Sequence, residues 1–145
     1  MDYRIEVPTA HVNLSPVMFH IYAAQYYQCK QAFNNGGAFS PVPYFLICRA
    51  IELELKAKHL ESKSRAEVKK QYGHNLKKSY DALPGAEQVL ELEQYHALER
   101  ASVIYDIPNK GFEYVAVADA VTGFKMFPDL LVLDQAARKL IGSDA

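Results

Sequence analysis

Ser40-Pro41-Val42-Pro43-Tyr44-Phe45-Leu46-Ile47-Cys48-Arg49-Ala50-Ile51-Glu52-Leu53-Glu54-Leu55-Lys56-Ala57 reads as one long helix. Ser40 is a capping residue, and Pro41 and Pro43 fall in the first turn, where a missing N–H costs little. Phe45, Ile47, Ile51, Leu53, Leu55 and Leu60 make the helix strongly apolar, and it is expected to run to about Glu61. Glu52 and Lys56 interrupt that apolar surface. They are four residues apart with glutamate first, so they read either as an ordinary helix-stabilising pair or as two groups facing a polar pocket.

The same punctuation recurs on both sides. Ser15-Pro16 opens an earlier helix in which Val17, Ile21, Ala24 and Tyr27 recur at helical spacing, with Met18, Phe19, Tyr22 and Tyr26 widening the apolar surface. Asn34-Asn35-Gly36-Gly37 stops it. Downstream, Ser64-Arg65-Ala66-Glu67 fits a capping box for a short helix ending near Tyr72-Gly73. Asn75 is placed to cap the segment carrying Leu76, Tyr80 and Leu83, which Pro84-Gly85 ends. A further helix is expected from about Glu87 to Tyr105. Residues 112–117 fit strand, extended arm or helix equally. Pro128 opens a last helix with Leu130, Leu131, Leu133, Ala137 and Ile141, stopped by Gly142. About five helices joined by short turns predict an all-α fold, an antiparallel helical bundle forming one domain over 1–145 with its core at about 14–142.

Composition narrows the function class. Half of the 145 residues are hydrophobic and 23% are charged, which excludes a disordered chain. No stretch approaches the roughly 18 apolar residues of a membrane span. Met1 to Glu6 lacks a basic region followed by an apolar core, so no secretory signal is expected. Cys29 and Cys48 sit in apolar, helix-like surroundings, the pattern of free thiols in a reducing cytoplasm, although one bridge between them is the other reading. Net charge is −1 but uneven. Arg49 to Tyr80 holds nine basic and four acidic residues, and Asp81 to Asp106 holds six acidic residues and one base, Arg100. This pattern fits a surface facing nucleic acid, or two solvated helix faces that attract each other.

Motifs for metal, phosphate-loop and esterase chemistry are absent. The five histidines, His11, His20, His59, His74 and His96, lie on separate segments, and Glu93-Gln94-Tyr95-His96 has no second copy of its spacing. No cofactor is expected. Gly36-Gly37 lacks the Lys-Ser/Thr of a phosphate loop. Cys48 beside Arg49 reads as a core cysteine, given Phe45, Leu46, Ile47 and Ile51 around it. Ten tyrosines and seven phenylalanines are a high aromatic load, used for packing or for stacking bases.

Two stretches together resemble the HEPN family, the higher eukaryote and prokaryote nucleotide-binding helical bundles. Pro43 to Ala57, with Ala50-Ile51-Glu52-Leu53-Glu54-Leu55-Lys56-Ala57, is similar to that family's second helix. Gly73-His74-Asn75-Leu76 is similar to its Gly-His-Asp/Asn-Leu helix start. The resemblance implies an all-α homodimer. It also implies an RNase of toxin–antitoxin, abortive-infection or CRISPR settings, a non-catalytic partner of a nucleotidyltransferase, or one of the family's members without a known role. The nuclease signature is Arg, four to six residues, then His. Here Arg100 is followed by Tyr105 and Asp106 and by no histidine. Metal-free RNA cleavage requires a group that takes a 2′-OH proton near neutral pH, and tyrosine, with an ordinary pKa near 10, does this poorly.

The ligand-binding candidates carried over are therefore Arg100, Glu52, Lys56, His74 and Tyr105, with no catalytic and no metal residue assigned. Arg100 is expected in a partly buried polar cleft near Glu52 or Lys56. The leading expectation is a cytoplasmic binding or partner module for nucleotide or RNA. The alternatives are a metal-independent RNase recruiting His74 or His96, and a protein-interaction dimer. A homodimer is expected through Phe19, Tyr22, Tyr26, Tyr27 and Phe33 of the first helix.

Overall fold

The computed structural model describes residues 14–145. The reading of Met1 to Glu6 and the placement of His11 lie outside them. Among the described residues the chain is all-helical: α1 (Ser15–Ala32), α2 (Val42–His59), α3 (Arg65–Tyr72), α4 (Leu76–Asp81), α5 (Leu92–Tyr105), α6 (Val117–Val121) and α7 (Leu130–Ile141). Single 3-10 turns follow at Gly85–Glu87 and Gly142–Asp144. No described helix is long and apolar enough to cross a membrane.

The central helix is α2, which packs against α1, α4, α5 and α7. Its Ile47, Ile51 and Leu55 are fully buried together with Leu76, Leu98 and Leu133. Each such side chain contributes about 1.5–3 kcal/mol on leaving water. Helices α1 and α2 run antiparallel: His20 meets Glu54, whereas Tyr26, further along α1, meets Arg49, earlier on α2. Helix α7 also runs against α1, since Asp134 meets Lys30 and Asp144 beyond its end meets His20.

Most of the punctuation acts as the residue types predict. The Ser64 hydroxyl accepts from the Glu67 amide (3.2 Å), the Asn75 side chain from Lys78 (3.0 Å), and the Ser40 hydroxyl from Val42 (3.1 Å). Several boundaries differ. Helix α1 starts at Ser15 itself with Leu14 in the cap position, α2 at Val42 with Pro41 there, and α7 at Leu130 with Asp129 there. Helix α2 ends at His59 rather than Glu61. The helix expected from Glu87 begins at Leu92, because Glu91 and Gln94 close a reciprocal capping box there. Residues 112–116 form no strand, and Val117 opens α6. This stretch lacks periodicity because it is held by rings: Phe112 and Phe127 pack with Tyr44, and Phe124 stacks on Phe39 at 4.0 Å.

Candidate functional site

Glu52 lies near the middle of the buried helix α2 and is only 2% exposed. A carboxylate there must be satisfied, and four elements of sequence do so. Arg49, one turn earlier, donates through Nη1 to Oε2 (2.7 Å), and Lys56, one turn later, stands 3.6 Å from the same oxygen. Tyr105, the last residue of α5, donates its hydroxyl to Oε1 (3.3 Å). His74 pairs with Oε1 through Nδ1 at 2.5 Å. Burial, and then the charge of Glu52, push the Tyr105 phenol far above its ordinary range, so it serves as a neutral donor.

The position of His74 follows from the local sequence. Gly73 has φ +52°, a left-handed value that glycine adopts without strain, and it ends α3. The next residue is His74, and Asn75 then caps α4. The loop between the two short helices is thus set against α2, where the imidazole reaches Glu52.

This polar cluster floors a cleft of about 860 Å³ between α1, α2 and α3. Phe19, Tyr22 and Tyr26 of α1 form one wall. Arg65 and Lys69 of α3 form the other, with Arg49 and Lys56 below them. Cations lie over two of the three rings: the Arg49 guanidinium 5.9 Å from the Tyr26 centroid, and that of Arg65 5.7 Å from Phe19. Four cations, one carboxylate and three aromatic rings share one concave surface. Such a surface accepts a flat ring that carries negative charge.

Of the residues singled out in the sequence, Glu52, Lys56, His74 and Tyr105 come together here, and Glu52 and Lys56 face a polar pocket as well as each other. Arg100 does not join them. It is exposed on α5 and does not line the cleft. Tyr105 points from the same helix at Glu52, and five residues turn a helix by about 140° from it, which directs Arg100 elsewhere. Arg49 supplies the guanidinium instead. Its spacing from Glu52 signals a pair, and the sequence reading took it only as a neighbour of Cys48. Arg65, Lys69 and the ring wall of α1 were also missed as site residues.

The remaining titratable groups belong elsewhere. His96 is exposed beside Glu99 (3.7 Å). His59 stacks on Tyr72 and bonds the Ser79 carbonyl at 2.7 Å, and burial lowers its pKa. Both cysteines are free; Cys48 is buried, which pushes its thiol well above the ordinary value. Among the described residues no group of His, Cys, Asp and Glu forms a metal site.

No family model matches the chain, and no match is found among curated proteins or solved structures.

Proposed function

We propose that the cleft binds a nucleotide or single-stranded RNA, and that the protein is a binding module of HEPN-like type. The observation that supports this reading most strongly is the meeting of Arg49, Lys56, Arg65 and Lys69 with Phe19, Tyr22 and Tyr26 in one cleft. Cations hold phosphate and an open ring face holds a base, a combination that binds a nucleotide or single-stranded nucleic acid without requiring sequence. Binding is expected to be weak and salt-sensitive. It is tested with labelled single-stranded RNA by fluorescence anisotropy at 50 and 200 mM salt. Arg49→Ala is expected to weaken binding by about 1–3 kcal/mol, the scale of a lost charged hydrogen-bond partner. Absence of any RNA or nucleotide binding overturns the proposal.

The pairing of His74 with Glu52 favours a second reading, metal-independent RNA cleavage. An imidazole that donates Nδ1–H to a buried carboxylate keeps Nε2 as a proton acceptor, and Arg49 beside it stabilises phosphate charge. RNA incubated with chelator separates the two. Cleavage by the wild type that His74→Ala abolishes would establish the nuclease, and binding without cleavage the binding module.

A homodimer through α1 is part of the proposal, on a face that differs from the one first expected: of the residues named for it only Tyr22 is exposed, and it lines the cleft. Tyr27 is fully buried, and Phe19, Tyr26 and Phe33 are half-buried. The exposed apolar face consists of Leu14, Val17, Met18 and Ile21, one helical stripe. Lys30 is the sole Asp, Glu, Lys or Arg in α1, so two copies meet there without like-charge repulsion. Light scattering of Ile21→Glu beside the wild type tests it, with loss of dimer mass expected in the variant.

A further inference from the structure

The three rings of the cleft wall are not equivalent. Tyr26 already has Arg49 over its face, and Phe19 has Arg65. Tyr22 lines the same cleft, is 44% exposed, and has no cation over its ring among the described residues. The cations divide in the same way. Arg49 and Lys56 are paired with Glu52. Arg65 and Lys69, one turn apart on α3, are exposed and have no carboxylate partner among the described residues.

One open ring therefore stands near one uncompensated pair of cations. Phe19 and Tyr22 are neighbours on one face of α1, about 5–6 Å apart at Cβ. Arg65 sits over Phe19. A base stacked on Tyr22 thus lies about one ribose from a phosphate at Arg65 and Lys69. Proteins that track a longer strand offer successive open rings to successive bases. Here the second and third rings are occupied by the chain's own guanidinium groups.

From this we infer that the cleft takes a single nucleoside monophosphate unit, its base stacked on Tyr22 and its terminal phosphate held by Arg65 and Lys69. The unit is either a free nucleotide or the phosphorylated end of an RNA. The inference rests on the nucleotide-binding reading above and specifies its ligand. A terminal phosphate dianion gains more from two unpaired cations than an internal diester with one charge does.

Calorimetric titration with adenosine, 5′-AMP and 3′-AMP tests this, with 5′-phosphorylated and 5′-hydroxyl tetra-adenylate as further probes. One of the two monophosphates is expected to bind at least about tenfold tighter than adenosine. Tyr22→Ala is expected to cost at least about fivefold and Tyr22→Phe little, because stacking requires the ring and not the hydroxyl. Arg65→Ala and Lys69→Ala are each expected to remove most of the advantage of the monophosphate over adenosine. All three positions are exposed, so the variants retain the fold. A phosphorylated tetra-adenylate that matches the mononucleotide identifies the RNA end as the natural source; one that binds much more weakly identifies the free nucleotide. Equal affinity for adenosine and both monophosphates overturns the inference. So does RNA binding that Arg49→Ala abolishes and Tyr22→Ala leaves unchanged, and that result preserves the broader nucleic-acid reading. No binding of any probe overturns both.

Discussion

Two buried carboxylates of this protein gather similar partners to different ends. Asp134 on α7 accepts from the Tyr27 hydroxyl (3.1 Å) and from Lys30 (2.8 Å), with Arg138 at 3.7 Å. Glu52 on α2 gathers Tyr105, Arg49, Lys56 and His74. Both are about as buried, at 5% and 2% exposure. Asp134 closes the seam between α1 and α7 and does not line the large cleft, whereas Glu52 and three of its partners do. A buried carboxylate with cationic partners is therefore no sign of a site by itself. The distinguishing feature is that three partners of Glu52 line the cleft of about 860 Å³, whereas of the partners of Asp134 Lys30 lines only a much smaller cavity of about 360 Å³.

The largest expected effect is on stability, and there the two carboxylates should behave alike. Removing either one leaves half-buried cations and a buried tyrosine hydroxyl without their carboxylate, so Glu52→Ala and Asp134→Ala are each expected to lower the unfolding free energy by about 3 kcal/mol. Urea unfolding checks this. A cost near zero at Glu52 would mean that its partners are held by something else, and the comparison would fail.

Ligand binding should separate them. Asp134→Asn is expected to leave RNA affinity unchanged under conditions where the variant is folded. Arg49→Ala is expected to lower affinity by about 1–3 kcal/mol. Equal losses in both variants would trace the effect to general loosening of the helices rather than to the cleft.

A third buried carboxylate, Glu54, adds a pH test. His20 bridges it at 2.7 Å to Asp144 at 2.6 Å, and Lys58 lies 3.5 Å from Glu54. The bond to Asp144, then that to Glu54, raises the pKa of His20 above its ordinary 6.5. The folded state then holds this proton more tightly than the unfolded one. The contribution is complete below about pH 6.5 and is lost as pH rises through the folded-state pKa. His59 has the opposite sign: burial lowers its pKa, so its environment favours folding above about pH 6.5 and costs stability as pH falls. His20→Gln is expected to cost more at pH 5.5 than at pH 8.5 by urea midpoint. A cost that is the same at both values would show that the bridge does not titrate in the fold.

The smallest expected effect is at Arg100. It is exposed and outside the cleft, so Arg100→Ala should change stability by no more than about 0.5 kcal/mol and leave RNA affinity unchanged. A loss of binding would return this arginine to the site.

The helical architecture was legible because its punctuation is local. Ser64, Asn75, the Asn-Gly run at 34–37 and the prolines act within a turn of where they stand. Helix α5 was placed early because Glu91 is an unusual cap, effective only through its reciprocal bond with Gln94. Residues 112–127 were illegible because they are fixed by rings from distant segments, Phe39 and Tyr44, and carry no period of their own. At the site, Glu52, Lys56, His74 and Tyr105 were named from the resemblance, and the fold brings them together. Arg100 was placed wrongly because the resemblance carried it over as the family's arginine, while the turn of α5 directs it away from the face on which Tyr105 meets Glu52. Arg65, Lys69 and Tyr22 were overlooked because nothing in a sequence shows that α3 closes over α1.

The central claim is that the cleft beneath α1 and α3 holds the ligand. A two-dimensional amide NMR titration of the protein with 5′-AMP tests it most directly, and with assigned resonances it locates binding without any mutation. Saturable shifts are predicted at Tyr22, Tyr26, Arg49, Lys69 and His74, with little change near Asp134, Arg138 and Arg100. Saturable shifts confined to the α7 seam or to the face of Arg100, or no saturable shifts at all, would contradict the account.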